Sequence, residues 1–234
     1  MWNRQEIKAG GKAAFKANYW RSVGVSFLLS LLIGGTAVAA RVNSGSSGTQ
    51  GQQSLEEASG SIPELPPALI AIIAGALIAV IIVSLLLRIF LYNPLKVGCY
   101  QFFEKNQYSP DTSLDMIMTG FSRYGRTFLT LFLTDLYTAL WCILLIIPGL
   151  IKAYSYRLVP YLIVDEPDLK PGEVITLSRQ LMKGHKWAAF VYDLSFLGWE
   201  LLGIITLGLV DVFWTRPYKN NADAALYNAI RNHQ

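Results

Sequence analysis

The sequence predicts an all-α fold: a polytopic membrane bundle of about six crossings, built as three helical hairpins with amphipathic helices at the inner interface. Three observations predict it. Of 234 residues, 53% are hydrophobic and only 15% charged, with a mean hydropathy of +0.36, whereas a soluble domain carries about 25% charged residues. Several apolar runs reach the roughly 20 residues that cross a hydrocarbon core. The lysines and arginines gather in alternate connections, as the positive-inside bias requires.

The elements follow in order. Residues 1–20 read as a basic interfacial helix, with Arg4, Lys8, Lys12 and Lys16 four apart and Tyr19 and Trp20 as interface anchors. Residues 22–40 are the first span. Residues 41–67 contain "NSGSSGTQGQQSLEEASGS" and Glu56, Glu57 and Glu64 against one arginine, which reads as a flexible outer loop. Residues 68–92 return, interrupted only by Arg88. Lys96, Lys105, Arg123 and Arg126 then mark the inner side. Residues 127–147 and 187–206 are the other two long runs. Four spans alone would leave Lys170, Arg179, Lys183 and Lys186 outside, against the charge bias. A tight outer turn at Pro148-Gly149 resolves this, because proline ends the hydrogen-bond ladder and glycine lets the backbone reverse. Residues 150–164 then return, although they reach only about 23 Å. Gly203 and Gly208 bracket a second outer turn, and 209–231 return to a C-terminus on the same inner side as the N-terminus.

Between spans, Leu114, Ile117, Met118, Phe121 and Tyr124 follow helical spacing, as do Val174, Leu177, Ser178, Leu181 and Met182. Both sets predict helices lying in the inner interface with the apolar face toward lipid. The order of interfacial helix, outgoing span, turn and returning span repeats three times. Pro94, Pro160 and Pro217 recur as helix breaks near the inner ends of the returning spans.

Catalytic chemistry has few places to reside. The two histidines, His185 and His233, have no partner base or nucleophile in the sequence, and no cofactor fingerprint or metal-ligand spacing is present. Cys99 and Cys142 read as packing thiols. The informative residues are charges inside predicted crossings: Asp135, Arg157, Asp193, Glu200, Lys152 and Asp211. A charge at mid-bilayer costs about 2.5–3.5 kcal/mol on insertion scales, so such groups pair or line a wet cavity. By depth, Arg157 is expected to pair with Asp193 or Asp135, and Lys152 with Asp211. Lys8, Lys12, Lys16, Trp20, His185 and Trp187 are expected to contact lipid at the inner interface. The net charge of +4 suits an anionic inner leaflet. Nucleic acid is a poor partner, since the basic residues form no continuous patch.

The strings "IIPGLIKAYSYRLVPYLIVDEP", "SRQLMKGHKW", "LSFLGWELLGIITLG" and "RPY" followed by "ALY" resemble the integral membrane family called domain of unknown function 975. The likeness is strongest from Leu144 to Tyr227, with "KANYW" near the N-terminus. Leu226-Tyr227 stands where that family usually has an aromatic pair. The resemblance implies a polytopic protein of the bacterial cytoplasmic membrane, and the charge pattern places both termini on its cytoplasmic side. The resemblance implies no activity, cofactor or catalytic residue. The sequence thus points to a non-enzymatic scaffold or accessory component, with a membrane-protein partner or second copy. Its rival is a small permease whose polar route passes Asp135, Arg157, Asp193 and Glu200.

Overall fold

A computed structural model describes residues 2–44, 66–87, 91–109 and 111–232. The expected outer loop, apart from its ends, as well as Arg88, Pro110 and His233, lies outside these residues. Every regular element among them is helical. The chain forms two compact units, residues 30–88 and the remainder.

The smaller unit holds the C-terminal part of α2 (Tyr19–Ser44) and α3 (Pro67–Leu87). The α3 sequence carries no charge, and its described side chains, Ile72, Ile78 and Val80 among them, are exposed.

The larger unit begins with α1 (Arg4–Ala17). Asn3 caps it by accepting from the Gln5 amide at 3.0 Å, which satisfies one of the orphan donors of the first turn. The apolar stripe Ile7, Gly11, Ala14 and Phe15 is buried, and α1 packs on the C-terminal helix α11 (Arg216–Asn232). The expected interfacial helix therefore turns its apolar face to protein, leaving Lys12 and Lys16 exposed. The same holds for α8 (Pro171–Leu181), which buries Val174, Ile175, Ser178 and Leu181. Leu114–Phe121 is a 3-10 helix, and it does expose Leu114 and Met118.

Two stretches are long and apolar enough to cross a membrane among the described residues: α5 (Tyr124–Leu144) and the run Lys186–Ile205. That run comprises α9 (Lys186–Leu194) and α10 (Leu197–Ile205). The two predicted returns have a different form. Residues 150–164 are split between α6 (Ile146–Ser155) and α7 (Val159–Asp165). Residues 209–231 comprise a short apolar start, a π-helical turn at Asp211–Thr215 and the polar helix α11.

The first turn lies a few residues earlier than predicted, whereas the second falls between Gly203 and Gly208 as expected. Leu145 is extended between α5 and α6, while Pro148 and Gly149 sit in the first turn of α6. Gly149 serves close packing there: a Cβ would stand 2.7 Å from the Cys142 Cα. The second turn is a Schellman motif, with the Gly208 amide donating to the Gly203 carbonyl at 2.7 Å and Leu207 to Ile204 at 3.2 Å. Leu207 takes the left-handed position, φ 53°, that glycine usually fills. The turns are apolar and open: Leu207 is 95% exposed and Ile143 85%.

The three recurring prolines each open a helix, and Pro160 follows the break within the predicted return. Each is the second residue of a helix: Pro94 in α4 (Asn93–Lys105), Pro160 in α7 and Pro217 in α11. Proline fits there because its missing N–H falls among donors that lack an intrahelical partner anyway. These three helices pack together, with the Tyr161 ring stacked 4.7 Å from Tyr227 and edge-on to Tyr100 at 5.0 Å. A buried amide network ties them to the N-terminus. Asn106 donates to Asn221 at 2.7 Å and to the Ala14 carbonyl at 3.0 Å, and it accepts from Asn18 at 2.7 Å. Asn221 also donates to Ser22 at 3.2 Å. Buried amides need such complete pairing, which fixes the register of α1, α4 and α11.

Candidate functional site: an arginine between two aspartates and a polar cavity

Arg157 stands between α6 and α7, where the helix breaks before Pro160, whose ring leaves no N–H to donate four residues back. That break aims the guanidinium at two helices at once. Its Nη1 and Nη2 donate to the Asp193 carboxylate on α9 at 2.7 and 3.0 Å, and Nη2 donates to Asp223 on α11 at 2.8 Å. The Tyr154 hydroxyl donates to Asp193 at 2.9 Å, and Tyr192 to Asp223 at 3.0 Å. The three charged side chains are only 18%, 23% and 18% exposed. Fork-to-carboxylate pairing of this kind is both strong and directional. The cluster pins α6, α9 and α11 at one level.

The other predicted charges divide. Glu200 pairs with Lys219 at 3.1 Å, and Lys219 also lies 4.0 Å from Asp193. Lys152 and Asp211 do not meet. Asp211 pairs with Arg216 at 2.6 Å, which is five residues on and reached across the π-helical turn; Lys152 lies 4.8 Å over the Trp141 ring. Asp135 does not pair with Arg157, is exposed on α5, and makes no hydrogen bond or ion pair with any described residue.

Of the expected lipid contacts, Trp20 and Trp187 are largely exposed. Lys8 instead donates to the Ser195 carbonyl at 3.2 Å, at the C-terminal end of α9, where a cation complements the helix dipole. Burial, then the Arg4 charge, holds its ammonium below the usual range. His185 Nδ1 accepts from the Trp2 indole at 3.2 Å, so the imidazole is tied to the N-terminus of the chain.

A cavity of about 380 Å³ opens beside Arg157. Thr134, Asp135 and Thr138 form its α5 wall, and Tyr154, Tyr156, Arg157 and Asp193 line it further on, with Lys96 and Tyr100 of α4. Thr130, Thr134 and Thr138 each donate to the carbonyl four residues earlier, at 2.7–2.8 Å, so a polar stripe runs up α5 without orphaned donors. Burial pushes the Tyr100 phenol up to about 12, with the Asp223 charge adding to it, so this hydroxyl keeps its proton at neutral pH. Sequence reasoning missed Asp223, Lys219 and the threonine stripe. The stripe was readable from its four-residue spacing. Asp223 lay in a predicted span but in a polar context, "NNADAALY", that gave no reason to single it out.

Residues 142–234 match the model of a family described as Protein of unknown function (DUF975). The chain resembles that family over this stretch. The stretch holds Arg157, Asp193, Asp223 and Lys219, whereas Asp135, Lys96 and Tyr100 precede it. No curated protein and no solved structure matches the chain.

Proposed function

We propose that this chain is a non-enzymatic, multi-pass protein of the bacterial cytoplasmic membrane, with about six crossings and both termini cytoplasmic, acting as a scaffold or accessory to another membrane component. The supporting observation is the Arg157–Asp193–Asp223 cluster. An arginine that spends its donors on two carboxylates from two other helices acts as a structural clasp. The apolar turns at Leu145 and Leu207 suit a lipid environment, as does the uncharged α3. A membrane-protein partner, or a second copy, would meet the exposed apolar faces of α5 and α10.

The cavity favours a second reading, a small permease, because it brings Asp135 and the Arg157–Asp193 pair to one polar space. One substitution separates the two. In the scaffold reading Asp193→Asn leaves Arg157 half-paired, and stability of the purified protein falls by about 2–4 kcal/mol, measured as denaturant or thermal unfolding in detergent. In the permease reading the same variant folds as well as wild type, and a transported solute no longer crosses. Unchanged unfolding in Asp193→Asn would contradict the scaffold role of the cluster.

A further inference from the structure

We propose that the cavity beside Arg157 binds the ammonium headgroup of an amphiphile, with Asp135 as its counter-ion. The inference rests on reading α5 as a membrane helix. The charges lining the cavity are unevenly satisfied. Arg157 and Asp193 answer each other, whereas Asp135 has no hydrogen-bond or ion-pair partner among the described residues and sits mid-helix among the exposed Phe132, Leu136 and Leu140. A carboxylate placed there calls for a cation from outside the chain.

The wall around it specifies what kind. Thr134 and Thr138 have already spent their hydroxyl protons on backbone carbonyls, so they offer only lone pairs. Tyr100 and Tyr156 also line the cavity, and their hydroxyls bond to no described residue. A carboxylate beside the lone pairs of Thr134 and Thr138 complements an ammonium group with its three donors. Tyrosine rings add a favourable face for a cation. A divalent metal fits less well, because no group of three His, Cys, Asp or Glu suited to a metal occurs among the described residues. About 380 Å³ accommodates such a headgroup. The exposed apolar side chains of α5 then border the acyl tails.

The test uses full-length protein purified in detergent, stripped of lipid and titrated in separate arms with phosphatidylethanolamine, phosphatidylglycerol and soluble phosphoethanolamine. Bound adducts are counted by native mass spectrometry. The wild type is expected to favour phosphatidylethanolamine over phosphatidylglycerol. Asp135→Asn should weaken that binding by about tenfold, the loss of one charge-assisted contact, without altering phosphatidylglycerol binding. Asp135→Glu should restore it. Asp135-dependent binding of phosphoethanolamine alone would support the same ammonium chemistry with a soluble source. Equal phosphatidylethanolamine binding by wild type and Asp135→Asn, or a wild-type preference for phosphatidylglycerol, would overturn the proposal. Thr138→Val probes the same wall independently should Asp135→Asn fold poorly, and unchanged binding there would also count against the site. Alkaline extraction of wild type from membranes separates the two levels: release into the supernatant defeats the membrane reading, whereas retention with no phosphatidylethanolamine preference defeats only this inference.

Discussion

Glu104 shows how one residue couples burial to pH. Its side chain is only 8% exposed, its Oε2 has no hydrogen-bond partner among the described residues, and Lys105 stands off at 3.7 Å. Burial, followed by the Asp165 charge, holds its carboxyl above the usual range, and Lys105 and Arg231 pull it part-way back. The folded protein therefore keeps this proton over a window in which the unfolded chain has lost it. Stability falls as pH rises from the ordinary value of 4.5 through the folded value, and the loss is complete above it. Glu104→Gln should raise the thermal midpoint at neutral pH, with the gain shrinking as pH falls toward 4.5. A midpoint difference independent of pH would show that Glu104 titrates normally. At this same scale the sequence made Arg157 and Asp193 legible, since charges in apolar runs draw attention by their desolvation cost. It did not reveal that Asp211 would take Arg216, because that contact depends on a π-helical turn that widens the local spacing.

The elements were legible wherever hydropathy ran long. α5 and the α9–α10 run match their predicted extents to within a few residues. The returning arms were harder, since their apolar content is short and their second halves are packed on protein. Tyr161, Leu162 and Ile163 of α7 look like span residues in the sequence and are buried side chains in the structure. The amphipathic stripes of α1 and α8 were likewise correctly periodic, but periodicity does not say whether protein or lipid covers the stripe. The prolines mislead for a related reason: proline ends one helix and opens another with equal ease, and here it opens α4, α7 and α11. Gly149 offers an element-scale prediction. With a Cβ, residue 149 would press on the Cys142 Sγ at 2.5 Å and the Cys142 backbone nitrogen at 2.9 Å. Gly149→Ala should therefore force α5 and α6 apart and destabilise the protein by about 1–3 kcal/mol in an unfolding measurement. Trimming the sulfur with Cys142→Ala should not rescue it, because the backbone contact remains.

For the whole molecule, polar and apolar interactions are segregated. Helices α1, α4, α7, α8 and α11 share a core with a buried amide network, whereas α5, α6, α9 and α10 expose apolar side chains toward turns that carry no charge. Within the larger unit, that division is what the proposed placement of hairpins in lipid rests on. Labelling of single cysteines by a membrane-impermeant maleimide in intact cells tests this directly. Cys142 is exposed and would be replaced by serine, while Cys99 can stay: it is buried, and burial pushes its thiol up to about 12, so it does not react. Ile147→Cys and Leu207→Cys report on the two turns, and Lys12→Cys and Lys183→Cys on the opposite side; all four positions are exposed. Six crossings with both termini inside predict labelling at residues 147 and 207 in intact cells, and at residues 12 and 183 only after the membrane is opened. Labelling at 183 in intact cells, or protection of 147 and 207 in protein that remains membrane-bound, would contradict it.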